Sequence, residues 1–310
     1  MFLSYCHFQG VFQPLSWPFP RERRTLIFEL VITVDWSAAA KPGPARPRAD
    51  RCWIAWSAGG SLPAPEYFRT RTACRERIIE LLLSHPDPAF VGFDFPFGYP
   101  AGSGMGGGRQ AAEKIEKLLY SDEKDANNRF EAAALLNADI SPHPGPFWGV
   151  PPAKESAQLT VKKPSFAHEH FAEWRIAEKY LRDKKYKIMN VWQLLGQASV
   201  GSQTLTGLRE LAILARHPAL APRVKFWPFE TGWDADLDGI ILTEIWPSLT
   251  DYSKFPHLIK DAQQMMGARD WILRKMKAGR LRAAFAAPHW LTASEKRAAE
   301  MEEGWILGVR

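Results

Sequence analysis

The opening third of the chain alternates between apolar runs and short polar turns. Residues 25–37 (TLIFELVITVDWS) form a β-rich apolar run that ends in an acid, a pattern typical of a central strand. Residues 51–60 (RCWIAWSAGG) alternate as a second strand, and residues 65–71 (PEYFRTR) are short enough for a third. The pattern therefore predicts three consecutive strands.

The period then changes to that of a helix. In residues 72–85 (TACRERIIELLLSH) the apolar side chains recur at helical spacing, with Thr72 placed to cap the helix and His85-Pro86 placed to end it. Residues 89–100 (AFVGFDFPFGYP) follow as another buried strand with an acid near its end. The predicted order is three strands, a helix and a fourth strand.

Residues 101 to about 222 have mostly helical periodicity and form a large insertion after the fourth strand. Its clearest helices are AAEKIEKLLYS, NNRFEAAALLNA, HEHFAEWRIAEKYLRD and TGLRELAILARH. Between them, residues 141–155 (SPHPGPFWGVPPAKE) are too rich in proline and glycine for regular structure. Because this segment is also aromatic, we expect it to line a binding cleft.

Strands resume after the insertion, at residues 223–231 (RVKFWPFET) and 239–248 (GIILTEIWPS). Residues 258–279 predict a long helix, and residues 292–303 predict a last one with a serine cap and Glu295 near the capping-box position.

Composition narrows the class of protein. A hydrophobic content of 46% is ample for a packed core, and three cysteines at unrelated spacings give neither a disulfide framework nor a zinc pattern. No segment approaches the roughly 20 apolar residues of a membrane span, so we expect a cytoplasmic protein without a membrane partner. Residues 1–24 lack periodicity and are predicted to be a poorly structured extension, which leaves residues 25–310 as one domain.

Three acids share an unusual setting. Asp35, Asp94 and Glu244 each sit inside an apolar run at the end of a predicted strand, where an unpaired charge is costly to bury. If the strands are neighbours, their ends bring the acids together, and mutual repulsion then calls for cations, a shared proton or a basic side chain. Asp261, in the first turn of the long helix, is a fourth candidate, and Asp251 is an alternative to it.

This order of elements and acids resembles the ribonuclease H-like superfamily, and within it a set of bacterial proteins described as predicted nucleases. The segments that carry the likeness are VDWSAA, FDFPFG, WQLLGQASVGSQTLTG, TEIWPS and KDAQ, which span most of residues 28–275. The resemblance implies an α/β fold with a mixed sheet of three antiparallel strands, a helix and further strands. The insertion is larger than anything in the minimal nuclease core.

The resemblance also implies a metal site, in which Asp35, Asp94, Glu244 and Asp261 hold magnesium or manganese for phosphodiester hydrolysis, with nucleic acid or a nucleotide as the partner. The substrate-binding candidates are three serines in polar turns and three residues of the aromatic loop: Ser37, Ser199, Ser202, Phe147, Trp148 and Lys154. An alternative is a non-hydrolytic nucleotide- or pterin-binding protein, since some relatives have names that point to molybdopterin guanine dinucleotide synthesis. A sugar-kinase or actin-like fold needs two such domains, and only one is visible.

Other motifs point elsewhere with less force. The glycines of residues 102–107 have GxGxxG spacing, but their strand does not open a βαβ unit, so a loop over the site is expected instead of a dinucleotide motif. Arg109-Gln110 stands where a Walker loop requires Lys-Ser/Thr. The net charge of +6 and a basic cluster at residues 41–51 permit an anionic partner.

Overall fold

The structure, a computed structural model, describes residues 26–85, 87–196 and 199–310. Six strands form one mixed sheet within these ranges. They are β1 Leu30–Asp35, β2 Cys52–Ala58, β3 Glu66–Phe68, β4 Ala89–Phe93, β5 Val224–Phe226 and β6 Ile240–Glu244. All six strands lie where the sequence pattern predicts them, and the α/β class is confirmed.

Eight α-helices surround the sheet in the described ranges. They are α1 Arg71–Ser84, α2 Gly108–Glu116, α3 Arg129–Ile140, α4 Ile176–Asp183, α5 Val200–Ala215, α6 Lys260–Lys277, α7 Leu281–Phe285 and α8 Ala293–Ala298. None of these helices is both long and apolar enough to cross a membrane.

The strands lie side by side in the order β3-β2-β1-β4-β6-β5. β2 runs antiparallel to β1 and to β3, whereas β4 runs parallel to β1 and to β6, and β5 runs parallel to β6. The three central strands β1, β4 and β6 therefore end at the same edge of the sheet. This shared edge is where the acids of the sequence motifs must lie.

Both faces of the sheet are covered, which explains the nearly continuous apolar strands. Ile32 and Val34 of β1 pack in the core beneath α1, α2, α3 and α5, while Val31 faces the opposite core, which includes α4 and α7. α6 packs across β1 and β2 on that second side. There the Thr33 hydroxyl donates to the Met265 carbonyl at 2.8 Å, which fixes α6 against β1.

Several helix ends differ from the sequence prediction. α1 is capped by Thr70, whose hydroxyl accepts from the Ala73 N–H at 3.3 Å, and not by Thr72, which lies within the helix. α8 is capped by Thr292 with Glu295 completing the capping box, and not by the serine. α4 begins only at Ile176, since the preceding residues of the predicted helix are irregular, and α7 was not predicted. The predicted extension at residues 1–24 lies outside the described residues.

Candidate functional site

Asp35 and Asp94 occupy neighbouring positions at the shared strand edge. Val34 of β1 is in register with Phe93 of β4, so the two acids that follow them lie side by side. The Asp94 N–H donates to the Val34 carbonyl at 3.0 Å, which extends the pairing to the acids themselves. Register between parallel strands thus brings together two residues that are 59 positions apart in the sequence.

Asp261 joins this pair from the first turn of α6. Its carboxylate accepts a 2.7 Å hydrogen bond from the Asp50 backbone N–H, and its charge contributes to raising the pKa of the buried Asp35 carboxyl. Burial raises the pKa of Asp261. The first turn of α6 therefore places Asp261 at the same cavity as Asp35, the last residue of β1.

The pKa values of Asp35, Asp94 and Asp261 are all raised, as expected for buried carboxyls that lie beside other acids. Burial raises the pKa of Asp35 well above its usual value, and the charges of Asp261 and Asp94 raise it further. Burial, together with the charges of Glu244 and Asp261, raises the pKa of Asp94 to about 7. Among the described residues, no N–H group or basic side chain reaches the Asp35 or Asp94 carboxylate. The three aspartates Asp35, Asp94 and Asp261 are called the aspartate cluster below.

Glu244 has a different environment, although it ends the next strand. Arg175 binds both of its carboxylate oxygens, with Nη1 2.8 Å from Oε2 and Nη2 2.7 Å from Oε1. Both side chains are almost fully buried. Because a fork-to-fork pair of this kind satisfies the carboxylate within the protein, Glu244 is not available as a metal ligand in this arrangement. The expected four-acid ligand set is therefore reduced to the aspartate cluster.

The Arg175 guanidinium is held from two further directions. Its Nε donates to Glu178 at 2.9 Å and Nη1 donates to the Glu303 carbonyl at 3.0 Å. Although burial opposes it, the charges of Glu244 and Glu178 raise the pKa of Arg175. This network fixes the start of α4 against the end of β6 and the C-terminal segment.

The aspartate cluster fits a divalent cation in its chemistry, because hard oxygen donors without a competing basic group are what Mg²⁺ and Mn²⁺ prefer. No three acid, histidine or cysteine side chains within the described ranges are placed to hold an ion together. Magnesium commonly takes one or two protein carboxylates and fills its remaining positions with water and substrate oxygens. Asp35 and Asp261, which border the same cavity, fit that mode of binding.

Two cavities open beside these acids. A cavity of about 330 Å³, the Asp35 cavity, is bordered by Asp35, Ser37, Arg51, Ser199 and Asp261 among others. A smaller one of about 140 Å³, the Asp94 cavity, is bordered by Asp94, Arg175, Glu244 and Trp246 among others. Gln203 of α5 borders both cavities. The two cavities therefore adjoin at the beginning of α5.

A glycine in α5 allows this close approach. A side-chain carbon at Gly207 would lie 2.4 Å from the Phe95 ring, so only glycine accommodates the residue that follows Asp94. Glycine within a helix costs about 1 kcal/mol relative to alanine. The contact with Phe95 places α5 directly over the carboxyl end of β4, which explains why the glycine lies in the middle of a helix.

The three predicted serines have separate fates. Ser199 precedes α5 and borders the Asp35 cavity, so it is placed to contact a ligand there. The Ser37 hydroxyl borders the same cavity but is engaged within the protein, donating to the Asp50 carbonyl at 3.2 Å. Ser202 is buried and donates to the Leu194 carbonyl at 2.6 Å, while it accepts from Arg129. Ser202 is therefore structural, and its prediction as a binding residue is corrected.

The aromatic loop is not part of this site. Phe147 is fully buried between Tyr99 and Trp192, so the expectation that it faces a cleft is wrong. Trp148 borders a separate small cavity within the insertion, and exposed Lys154 forms an ion pair with Glu131 on α3. The loop therefore packs the insertion, because its prolines and rings fill space between helices instead of bordering the aspartate cluster.

The glycine-rich loop and Asp251, the alternative to Asp261, both have partners within the protein. The N–H groups of Ala101 and Gly102, in the glycine-rich loop, donate to Glu303 and Glu302 near the C-terminus at 3.0 Å each. They are thus satisfied within the protein and are not free for a phosphate. Asp251 is exposed and bonds to Ser253, so Asp261 is the acid that reaches the cluster.

Four residues of the site were not singled out from the sequence. Gln203 and Trp246 lie within the quoted segments WQLLGQASVGSQTLTG and TEIWPS, but only their neighbours were selected. Arg175 and Lys187 carried no local signal, because they belong to the insertion and reach the strand edge only through the fold.

The chain matches no family model, no curated protein and no solved structure.

Proposed function

We propose that this protein is a metal-dependent phosphodiester hydrolase with a ribonuclease H-like fold. The observation that carries the proposal is the aspartate cluster, in which three half-buried acids meet at the carboxyl ends of parallel strands without a basic partner among the described residues. Acids in this state need a cation or protons, and a divalent ion satisfies them best at neutral pH.

The strand arrangement supports the proposed fold. Three antiparallel strands, a helix and then parallel strands on the other side of β1 are what the resemblance implies. Helix between β4 and the last strand belongs to that order, whereas β5 and the large size of the helical insertion depart from it. Fold alone does not establish an activity, so the proposal depends on the site.

Asp35 and Asp261 would hold the ion, and Asp94 would contact it through water. When bound, the ion supplies charge stabilisation for a phosphoryl group and activates water for attack. Arg51 and Ser199 border the same cavity, where they are placed to contact phosphate oxygens. The beginning of α5 also faces this region, and a helix N-terminus favours an anion.

The activity is tested with bis(4-nitrophenyl) phosphate and with a mixed-sequence oligonucleotide, each in Mg²⁺, in Mn²⁺ and in EDTA. We expect turnover only with metal, and a loss of at least about 100-fold in Asp35→Asn, since disturbing even outer-shell partners of a metal costs 10- to 100-fold. Lys154→Ala, at an exposed position in the insertion, is the control that should retain full activity. Equal turnover in EDTA or in Asp35→Asn would refute the proposal.

Sequestration of Glu244 by Arg175 favours a second candidate, the non-hydrolytic nucleotide-binding protein, because it removes one of the four expected ligands. The same experiment separates the two. Metal-dependent nucleotide binding without turnover of either substrate would favour the binding protein.

A further inference from the structure

The Asp94 cavity combines an aromatic wall with polar groups on one side. Trp246 is half-buried and stands edge-on to Tyr186, with ring centroids 5.6 Å apart. Ile188 and Met189, also half-buried, complete the apolar part of the lining. The cavity therefore combines apolar and polar surface, and small-molecule sites use polar groups of this kind to orient a ligand against an apolar or aromatic lining.

Two of the polar groups, on Gln203 and Asp94, offer hydrogen-bond acceptors to the cavity. The Gln203 Nε2 group donates to the Trp36 carbonyl at 2.8 Å, which orients the side-chain amide, and no described residue donates to the side-chain oxygen Oε1. Asp94 borders the same space and also lacks a protein donor within the described ranges. A ligand that presents N–H groups would satisfy both acceptors.

A free cation stands at the cavity. Lys187 is exposed, borders the cavity and has no ion pair with any residue that the structure describes. Lys184 and Lys185 precede it on the same exposed segment. A lysine of this kind can contact a phosphate as a point charge.

We propose that the Asp94 cavity is a nucleobase subsite, in which Trp246 stacks on the base, Gln203 and Asp94 accept hydrogen bonds from its N–H edge, and Lys187 contacts a phosphate. The inference rests on the proposed function, because the base would then lie next to a phosphoryl group in the adjoining Asp35 cavity. Since Gln203 and Asp94 offer two acceptors, the subsite prefers guanine, adenine or cytosine, whose amino groups supply at least two N–H hydrogens, over uracil, which supplies one.

The test compares the affinities of the four nucleoside 5′-monophosphates with that of ribose 5-phosphate, by calorimetry in Mg²⁺. We expect the amino-bearing nucleotides to bind at least about tenfold more tightly than ribose 5-phosphate, with UMP between them, because stacking on an aromatic ring contributes this much or more per base. Trp246→Ala should abolish that difference and leave the affinity for ribose 5-phosphate unchanged, whereas Trp246→Phe should retain most of it.

Lys187→Glu lies at an exposed position, so it tests the site even if Trp246→Ala fails to fold. It should lower the affinities for nucleotides and for ribose 5-phosphate by the same factor. Lys184→Ala, on the same segment, should lower neither affinity. Equal affinities of the intact protein for nucleotides and ribose 5-phosphate would overturn the inference. So would a folded Trp246→Ala that keeps the tenfold difference, or a Lys187→Glu that changes no affinity.

Failure of this inference is distinct from failure of the proposed function. Metal-dependent hydrolysis without any preference for nucleotides would refute the subsite alone. Base-selective binding in a protein that hydrolyses no phosphodiester would refute the activity and leave the subsite supported. A trinucleotide that binds more tightly than its monomer would identify a nucleic-acid strand as the source of the base, and equal affinities would identify a free nucleotide; both outcomes support the subsite.

Discussion

The aspartate cluster and the Arg175–Glu244 pair lie at the same edge of the same sheet, yet only the pair has its negative charge neutralised by a basic side chain among the described residues. Glu244 receives a guanidinium on both oxygens and is buried, whereas Asp35 and Asp94 receive no basic group from the described residues and border open cavities. The first arrangement is complete within the protein. The second is complete only when protons or an external cation are added, which is the property expected of a site and not of a structural acid.

The largest effect is expected when the Arg175 guanidinium, the cation of the buried pair, is removed. Arg175→Met leaves Glu244 and Glu178 buried without their basic partner, and losing one member of a buried ion pair costs about 3 to 5 kcal/mol. We expect a loss of this size in the free energy of unfolding, measured by urea denaturation. A loss below about 1 kcal/mol would show that the pair is not the structural element we describe.

The aspartate cluster should respond in the opposite direction. In EDTA at pH 8, Asp94→Asn removes a carboxylate that burial and its neighbours disfavour, so we expect a gain of about 1 to 3 kcal/mol in the free energy of unfolding. Asp35→Asn should cost nothing or stabilise, because it removes a carboxylate that burial and the charges of Asp261 and Asp94 disfavour. Loss of several degrees in the melting temperature of either variant would assign the acids a structural role.

The pH dependence of the intact metal-free protein sharpens the same point. The pKa of Asp94 is about 7 in the folded protein and near 3.8 when unfolded, so the folded state binds more protons between these values. This acid therefore makes the free energy of unfolding fall as pH rises from about 4 to 7. Asp94→Asn should remove that fall, so the difference between the variant and the parent grows with pH. A difference that stays constant across this window would contradict the assignment.

The smallest effect is expected away from both regions. Lys154→Ala breaks an exposed ion pair with Glu131, and exposed pairs contribute about 0 to 1 kcal/mol. We expect a change of stability within that range and no change in Mg²⁺ affinity. A weakened Mg²⁺ affinity in this variant would show that the aromatic loop does contribute to the metal site.

The positions of the acids at strand ends could be predicted from the sequence, because a buried strand that ends in an acid is a local pattern. In the structure β1 ends with Asp35, Asp94 directly follows β4, and KDAQ begins α6. Their meeting required only that these strands be neighbours, which the order of elements implied.

The state of Glu244 could not be predicted in this way. Its partner Arg175 lies 69 residues away, in a segment whose pattern predicted one continuous helix, and the helix in fact begins one residue after that arginine. The role of the aromatic loop was mistaken for a related reason. Rings such as Phe147 and Trp148 serve equally well in a core and in a binding cleft, and only the packing of the insertion decides between them.

The metal site at Asp35 and Asp261 is tested most directly by calorimetric titration of Mg²⁺ and Mn²⁺ into the purified protein and into Asp35→Asn, Asp261→Asn and Lys154→Ala. We expect one stoichiometric site in the parent and in Lys154→Ala. Both aspartate variants should lose this site while circular dichroism shows that they are folded. No binding by the parent, or the same affinity in Asp35→Asn as in the parent, would contradict the proposed metal site.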